Sequence, residues 1–113
     1  MNTMTVGEII QKTGFEVISE SDKSKTVEGY YAGDLLSWVM GNAKPGSVWL
    51  TIMTNINVLA VASLLDLACV VICENAVIDG DIINTAKEKG INILRTPLPV
   101  YDACLMLGSI SNA

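Results

Sequence analysis

Polar residues that could bind a ligand follow three apolar stretches of the sequence, each predicted to be a strand. These stretches are residues 48–53, 68–73 and 91–94. Strands that alternate with helices form parallel sheets, and the carboxyl ends of parallel strands lie at one edge. We therefore expect a ligand-binding site at that edge, formed by the residues that follow the strands. The candidate ligand-binding residues are Asn55, Asn57, Glu74, Asn75 and Thr96.

Each of these residues also has a structural interpretation. Asn55 and Asn57 stand where they could cap a helix, Glu74 and Asn75 could form a solvated turn, and Thr96 precedes a proline in a stretch that could be a rigid loop. The convergence of three loops supports a binding site more strongly than any one of these residues does alone. It does not indicate an enzyme, because no acid, base and nucleophile are expected to fall together.

Most catalytic chemistry is disfavoured by residues that the sequence lacks. There is no histidine, the commonest general base and metal ligand. Neither the phosphate-binding loop of P-loop proteins nor the glycine pattern of dinucleotide-binding folds is present. We therefore expect no catalytic residue, no cofactor, and no ATPase or kinase activity. The alternative is a small enzyme that uses Asp34, Glu74 or Cys104, which would require a perturbed pKa in a polar pocket.

The cysteines are predicted to be small buried side chains rather than metal ligands. Cys69 and Cys73 lie on one predicted strand, which separates them by ~13 Å, too far to share an ion. Cys104, on the last predicted helix, is expected to be the most accessible of the three. An odd number of cysteines and the absence of a signal peptide pattern indicate a reducing compartment, the cytoplasm.

The composition predicts one globular domain that spans residues 1–113. Half of the residues are apolar, and the net charge is −5, which disfavours binding to nucleic acid or to an anionic membrane. Residues 48–65 carry no charge and are long enough for a membrane span. The polar Asn55 and Asn57 within this window favour a strand followed by a helix, so we expect no membrane segment.

The order of predicted elements indicates an α/β fold. A Thr5 and Glu8 capping box begins the first helix, and Gly90 is expected to end the fourth in a left-handed conformation. From residue 48 onward the pattern is β-α-β-α-β-α with short connections, which predicts a mostly parallel sheet flanked by helices. The predicted helices are 5–12, 34–42, 55–67, 80–89 and 97–107, and the predicted strands are 15–19, 26–31, 48–53, 68–73 and 91–94.

Nearly the whole chain resembles the DRTGG domain family. The resemblance is carried by GDLLSWVM at 33–40, VWLTI at 48–52, NVLAVA at 57–62 and KEKGINILRT at 87–96. It is closest to short stand-alone members, which are similar to the N-terminal domain of HPr kinase/phosphorylase. Related modules occur in phosphotransacetylases and beside CBS domains in some pyrophosphatases. The resemblance implies an α/β fold and an accessory or regulatory role, since the kinase chemistry belongs to a separate P-loop domain.

The chain departs from the pattern that gives this family its name. By position, the Asp-Arg pair should fall near Thr54 and Asn55, and the Thr-Gly-Gly near Glu74 and Asn75. Neither is present, which removes the arginine and the glycine-rich turn that could hold an anionic ligand in other members.

Apolar residues surround the axis of the predicted helix 55–67, whereas a helix that covers a sheet needs only an apolar stripe. Trp38 and Met40 add apolar surface to the helix 34–42. We therefore expect a homodimer in which one of these helices makes the contact, or else a different protein partner. The expected function is a non-catalytic regulatory or assembly module that binds a small polar ligand or a protein. The alternatives are an accessory subunit of a redox or phosphotransfer system and a purely structural subunit.

Overall fold

A computed structural model describes residues 4–111, which form five helices and five strands. The helices are α1 (Val6–Thr13), α2 (Leu36–Asn42), α3 (Ile56–Leu64), α4 (Gly80–Lys89) and α5 (Val100–Ser111). The strands are β1 (Glu16–Ser19), β2 (Gly29–Ala32), β3 (Ser47–Thr51), β4 (Cys69–Ile72) and β5 (Ile93–Arg95).

The five strands form one sheet in the order β1-β5-β4-β3-β2. Strands β2, β3, β4 and β5 are parallel to one another, whereas β1 pairs with β5 in the antiparallel direction. The central strands β3 and β4 are buried along their whole length, as their nearly continuous apolar sequence predicts. The expectation of a mostly parallel sheet is therefore confirmed.

Helices cover both faces of the sheet, and alternate side chains of each strand pack into separate cores. On one face, Trp49 and Val70 pack with residues of α2, α3 and α4. On the other face, Leu50 and Val71 pack with residues of α1 and α5. This three-layer arrangement confirms the α/β class that the order of elements predicts.

Local signals set several helix ends as expected. The Thr5 hydroxyl accepts the Glu8 backbone N–H, and the Glu8 carboxylate accepts the Thr5 N–H, which completes the capping box. Gly14 and Gly90 end α1 and α4 with a φ of 71°, a left-handed conformation that glycine adopts without strain.

Several helix ends differ from the prediction. Helix α3 stops at Leu64 instead of continuing to residue 67, because Asp66 turns the chain with a φ of 50°. Helix α5 begins at Val100 rather than at residue 97, and it continues to Ser111, beyond the predicted end at 107. Helix α2 begins at Leu36 rather than at residue 34. The uncharged window 48–65 is divided between β3 and α3, and no helix within residues 4–111 is long and apolar enough to cross a membrane.

Candidate functional site

The loops after β3, β4 and β5 meet at one edge of the sheet, which we call the carboxyl edge. The Cys73 backbone N–H donates to the Thr51 carbonyl at 2.9 Å, which joins the end of β4 to the end of β3. The Asn75 N–H donates to the Thr96 carbonyl at 3.0 Å, and the Glu74 N–H to the Leu98 carbonyl at 2.9 Å. The loops that carry the candidate residues are therefore held together by backbone hydrogen bonds.

Glu74 and Asn75 form an unusual exposed turn at the centre of this edge. Both have left-handed backbone conformations, with φ values of 58° and 53°. Residues with a Cβ adopt this region at a cost of about 1 kcal/mol or more, whereas glycine adopts it freely. These are the positions near which the family resemblance places two glycines. The backbone conformation suited to a glycine pair is thus present although the glycines are not.

The five candidate residues divide into two groups. Asn55 is the N-cap of α3, and its side-chain oxygen accepts the Asn57 N–H at 2.9 Å. Thr96 is buried, and its hydroxyl accepts the Leu98 N–H at 3.2 Å. Their structural interpretations therefore hold. The side chains of Asn57, Glu74 and Asn75 are exposed, and within residues 4–111 they make no hydrogen bond, so these three remain open to a ligand.

Asp34 is an additional polar residue at this edge that was not among the candidate binding residues. One of its carboxylate oxygens accepts the Thr51 hydroxyl at 2.6 Å and the Ile52 N–H at 3.0 Å, which ties the end of β2 to the end of β3. The sequence predicts a turn and a helix start at Asp34. It carries no signal that this carboxylate reaches a strand 17 residues later in the chain.

Cys73 lies beneath the carboxyl edge and is fully buried. The pKa of its thiol is raised to about 11, chiefly by burial and to a smaller extent by the nearby Cys104 and the carboxylates of Asp34 and Glu74. Burial also raises the pKa of Cys104, which is half-buried and the most accessible of the three cysteines, as expected. Both thiols are therefore protonated at neutral pH, which disfavours either as a nucleophile. In the part of the chain that the structure describes, no group of three potential metal ligands comes together.

Comparison with protein-family models and with curated proteins finds no match to this sequence. A solved structure with a similar fold is the crystal structure of the CBS and DRTGG domains of the regulatory region of Clostridium perfringens pyrophosphatase, complexed with its activator diadenosine tetraphosphate. The two share 14% sequence identity with a TM-score of 0.73, over 91% of this chain. The match spans only 45% of that regulatory region. The α/β sheet described above is therefore a DRTGG/CBS-like fold.

Proposed function

We propose that this protein is a non-catalytic regulatory module that binds a small polar ligand at the carboxyl edge. The observation that carries the proposal is the convergence of the strand-end loops, which brings exposed polar side chains to one edge of a fold that also occurs in an enzyme's regulatory region. Asn57, Glu74 and Asn75 are the residues that would contact the ligand. Ligands of open parallel sheets bind at this edge.

We further infer that the chain is a short DRTGG-type domain. The left-handed pair Glu74 and Asn75 supports this assignment, because its backbone conformation suits the two glycines of the family motif. The sequence stretches that resemble the family lie on α2, β3, α3 and the α4–β5 segment, which include two of the five strands and parts of the three helices that form one layer. Three free cysteines fit a cytoplasmic protein.

The charges at the edge indicate which ligands it would accept. Asp34 and Glu74 supply carboxylates, while Asn57 and Asn75 supply amides that both donate and accept hydrogen bonds. None of these four residues is basic, and Arg95 at the end of β5 is paired with Glu16. The carboxyl edge would therefore favour a neutral or cationic polar ligand, in contrast to the polyphosphate activator bound by the pyrophosphatase region.

A thermal-shift screen tests this proposal, because a ligand that binds the folded state raises the apparent stability by mass action. The panel would contain nucleosides, polyols, polyamines and diadenosine tetraphosphate. We expect a neutral or cationic compound to raise the melting temperature. Glu74→Gln and Asn57→Ala should reduce this shift, whereas Glu88→Gln, on the exposed end of α4, should leave it unchanged. Absence of any shift, or equal shifts in all variants, would reject the carboxyl edge as the site.

We also propose that the chain forms a homodimer through the outer surface of α2. Leu35, Trp38 and Met40 are 62%, 63% and 45% exposed, and Ile56 at the start of α3 is 50% exposed. Exposed apolar side chains on neighbouring elements favour an interface, since their burial is stabilising. If the chain proves to be a monomer, we expect this surface to bind a different protein.

A further inference from the structure

A cleft lies where the antiparallel strand β1 begins beside the end of β5. Its volume is about 310 Å³, near the lower end of the usual range for small-molecule sites. The end of α1, the start of β1, the loop after β5 and one residue of α5 form its walls. Its apolar lining includes Phe15, Leu98 and Met106. Apart from the buried Thr96, it shares no residue with the candidates at the carboxyl edge.

The polar side of this cleft contains one pair of opposite charges. Arg95 and Glu16 are directly paired across β5 and β1, and the Arg95 Nε–H donates to the Glu16 carboxylate at 2.9 Å. The Arg95 side chain is only 25% exposed, whereas the Glu16 side chain is 55% exposed. Within residues 4–111, the other guanidinium N–H groups of Arg95 make no hydrogen bond. The cation is therefore partly desolvated and retains donors for a further acceptor.

Thr96, the residue after Arg95, also lines the cleft but is only 2% exposed. Its hydroxyl oxygen accepts the Leu98 backbone N–H at 3.2 Å, which helps to hold the loop after β5. A carboxylate placed in the cleft would therefore accept its hydrogen bonds from the remaining guanidinium N–H groups of Arg95.

We propose that this cleft binds a free α-amino acid with an apolar side chain. The carboxylate of the amino acid accepts hydrogen bonds from the Arg95 guanidinium, and its ammonium group pairs with Glu16. The apolar side chain packs against Phe15, Leu98 and Met106. A cleft of this size accommodates a side chain as large as that of leucine, methionine or phenylalanine.

The zwitterion fits the charges of the cleft better than a simple carboxylate does. A ligand with only a carboxylate would lie close to the Glu16 carboxylate, which is itself 2.9 Å from Arg95 Nε, and like charges at such distances repel. The net charge of −5 on the whole chain adds to the penalty for an anion. An amino acid instead gives each charge of the Glu16–Arg95 pair an additional opposite charge.

Isothermal titration calorimetry with the whole chain tests the proposal. The probes are L-leucine, L-methionine and L-phenylalanine. Two comparators each lack one charge of leucine: 4-methylpentanoate has no ammonium group, and isopentylamine has no carboxylate. We expect the amino acids to bind and both comparators to bind at least about tenfold more weakly. This series needs only the wild-type chain, so it remains decisive if a variant fails to fold.

Substituted variants test whether the amino acid binds in this cleft. Arg95→Gln and Glu16→Gln should each weaken amino-acid binding by about tenfold or more. The matched control is Glu20→Gln, which removes a carboxylate from the exposed Glu20–Lys23 pair outside the cleft and should change nothing. Glu74→Gln and Asn57→Ala should also leave this binding unchanged, which separates it from the carboxyl edge. The proposal is overturned if no amino acid binds at roughly 10 mM, if 4-methylpentanoate binds as tightly as leucine, or if both cleft variants bind normally.

Discussion

Glu74 has a backbone conformation that glycine would adopt without strain. Its φ of 58° lies in the left-handed region, where a side chain with a Cβ costs about 1–2 kcal/mol. Glycine relieves that cost but loses about 0.5–1 kcal/mol through the entropy of the unfolded chain. We therefore predict that Glu74→Gly increases the free energy of unfolding by about 0.5–1 kcal/mol. Urea denaturation measures this change.

The control for this prediction is the reverse substitution at another left-handed position. Gly14 has a φ of 71°, and a Cβ added there meets no atom within 4 Å. Gly14→Ala therefore tests backbone strain without a steric clash, and we expect it to lower the unfolding free energy by about 1 kcal/mol. A loss of stability in Glu74→Gly would show that the Glu74 side chain contributes more than its backbone costs.

Asn92 is the second residue with a large predicted effect on stability. It is buried, and its side-chain oxygen accepts the Ser21 N–H while its amide donates to the carbonyls of Asp22 and Ala68. Asn92→Ala removes these three hydrogen bonds and leaves the Ser21 N–H without its acceptor, so we predict a loss of about 2–3 kcal/mol. Chemical denaturation should show almost no loss for Asn84→Ala on the exposed side of α4, and equal losses in the two variants would contradict the prediction.

At the residue scale, the sequence predicts well which polar side chains lie near the carboxyl edge. It predicts less well which of them make no hydrogen bond within the protein. The type and position of Asn55 fit both a helix cap and a ligand contact, and only its hydrogen bond to Asn57 decides for the cap. Asp34 and Asn92 were not predicted, because their partners lie far away in the chain. Such contacts depend on the packed fold and leave no pattern in the local sequence.

At the scale of elements, the burial of strand β4 makes the stability of the protein depend on pH. Burial raises the pKa of Cys69 from 9.0 to about 12. As the pH rises above 9, the thiol therefore ionises in the unfolded chain before it ionises in the folded one. The unfolded state then binds fewer protons, so this group makes stability fall between about pH 9 and pH 12.

Thermal unfolding measured across this pH range checks the effect. We predict a shallower fall of the melting temperature in Cys69→Ala than in the wild type. Val70→Ala makes a cavity in the same buried strand without removing a titratable group, so it should keep the wild-type slope. Parallel curves for all three proteins would contradict a contribution from Cys69.

The elements themselves were largely predictable, whereas their pairing was only partly so. The Thr5 and Glu8 capping box, Gly90 and the apolar runs of β3 and β4 are local signals, and each appears in the structure as expected. The antiparallel pairing of β1 with β5 follows no local signal, because β1 is distant from β5 in the sequence. The cleft at Arg95 and Glu16 depends on this pairing and for that reason could not be predicted.

At the scale of the whole molecule, we predict that the chain sediments as a dimer of 12.1 kDa subunits at micromolar concentration. Trp38→Lys places a charge in the apolar outer surface of α2 and should yield a monomer. Leu105→Lys is the matched control, since Leu105 is 54% exposed on α5, in the opposite helical layer, and this variant should remain a dimer. A monomeric wild type would instead favour a different protein partner for α2.

The two described ends of the chain meet the same short segment. The Met4 carbonyl accepts the Val27 N–H, and the Ser111 hydroxyl contacts the hydroxyl of Tyr30 only three residues further on. Proximity of this kind makes circular permutation feasible, because a short linker could join the described ends while new ends are opened in an exposed turn. The spatial order of the five strands in the sheet would stay the same. A permuted chain that still folds would have its new ends at a chosen turn, where a reporter group could be attached.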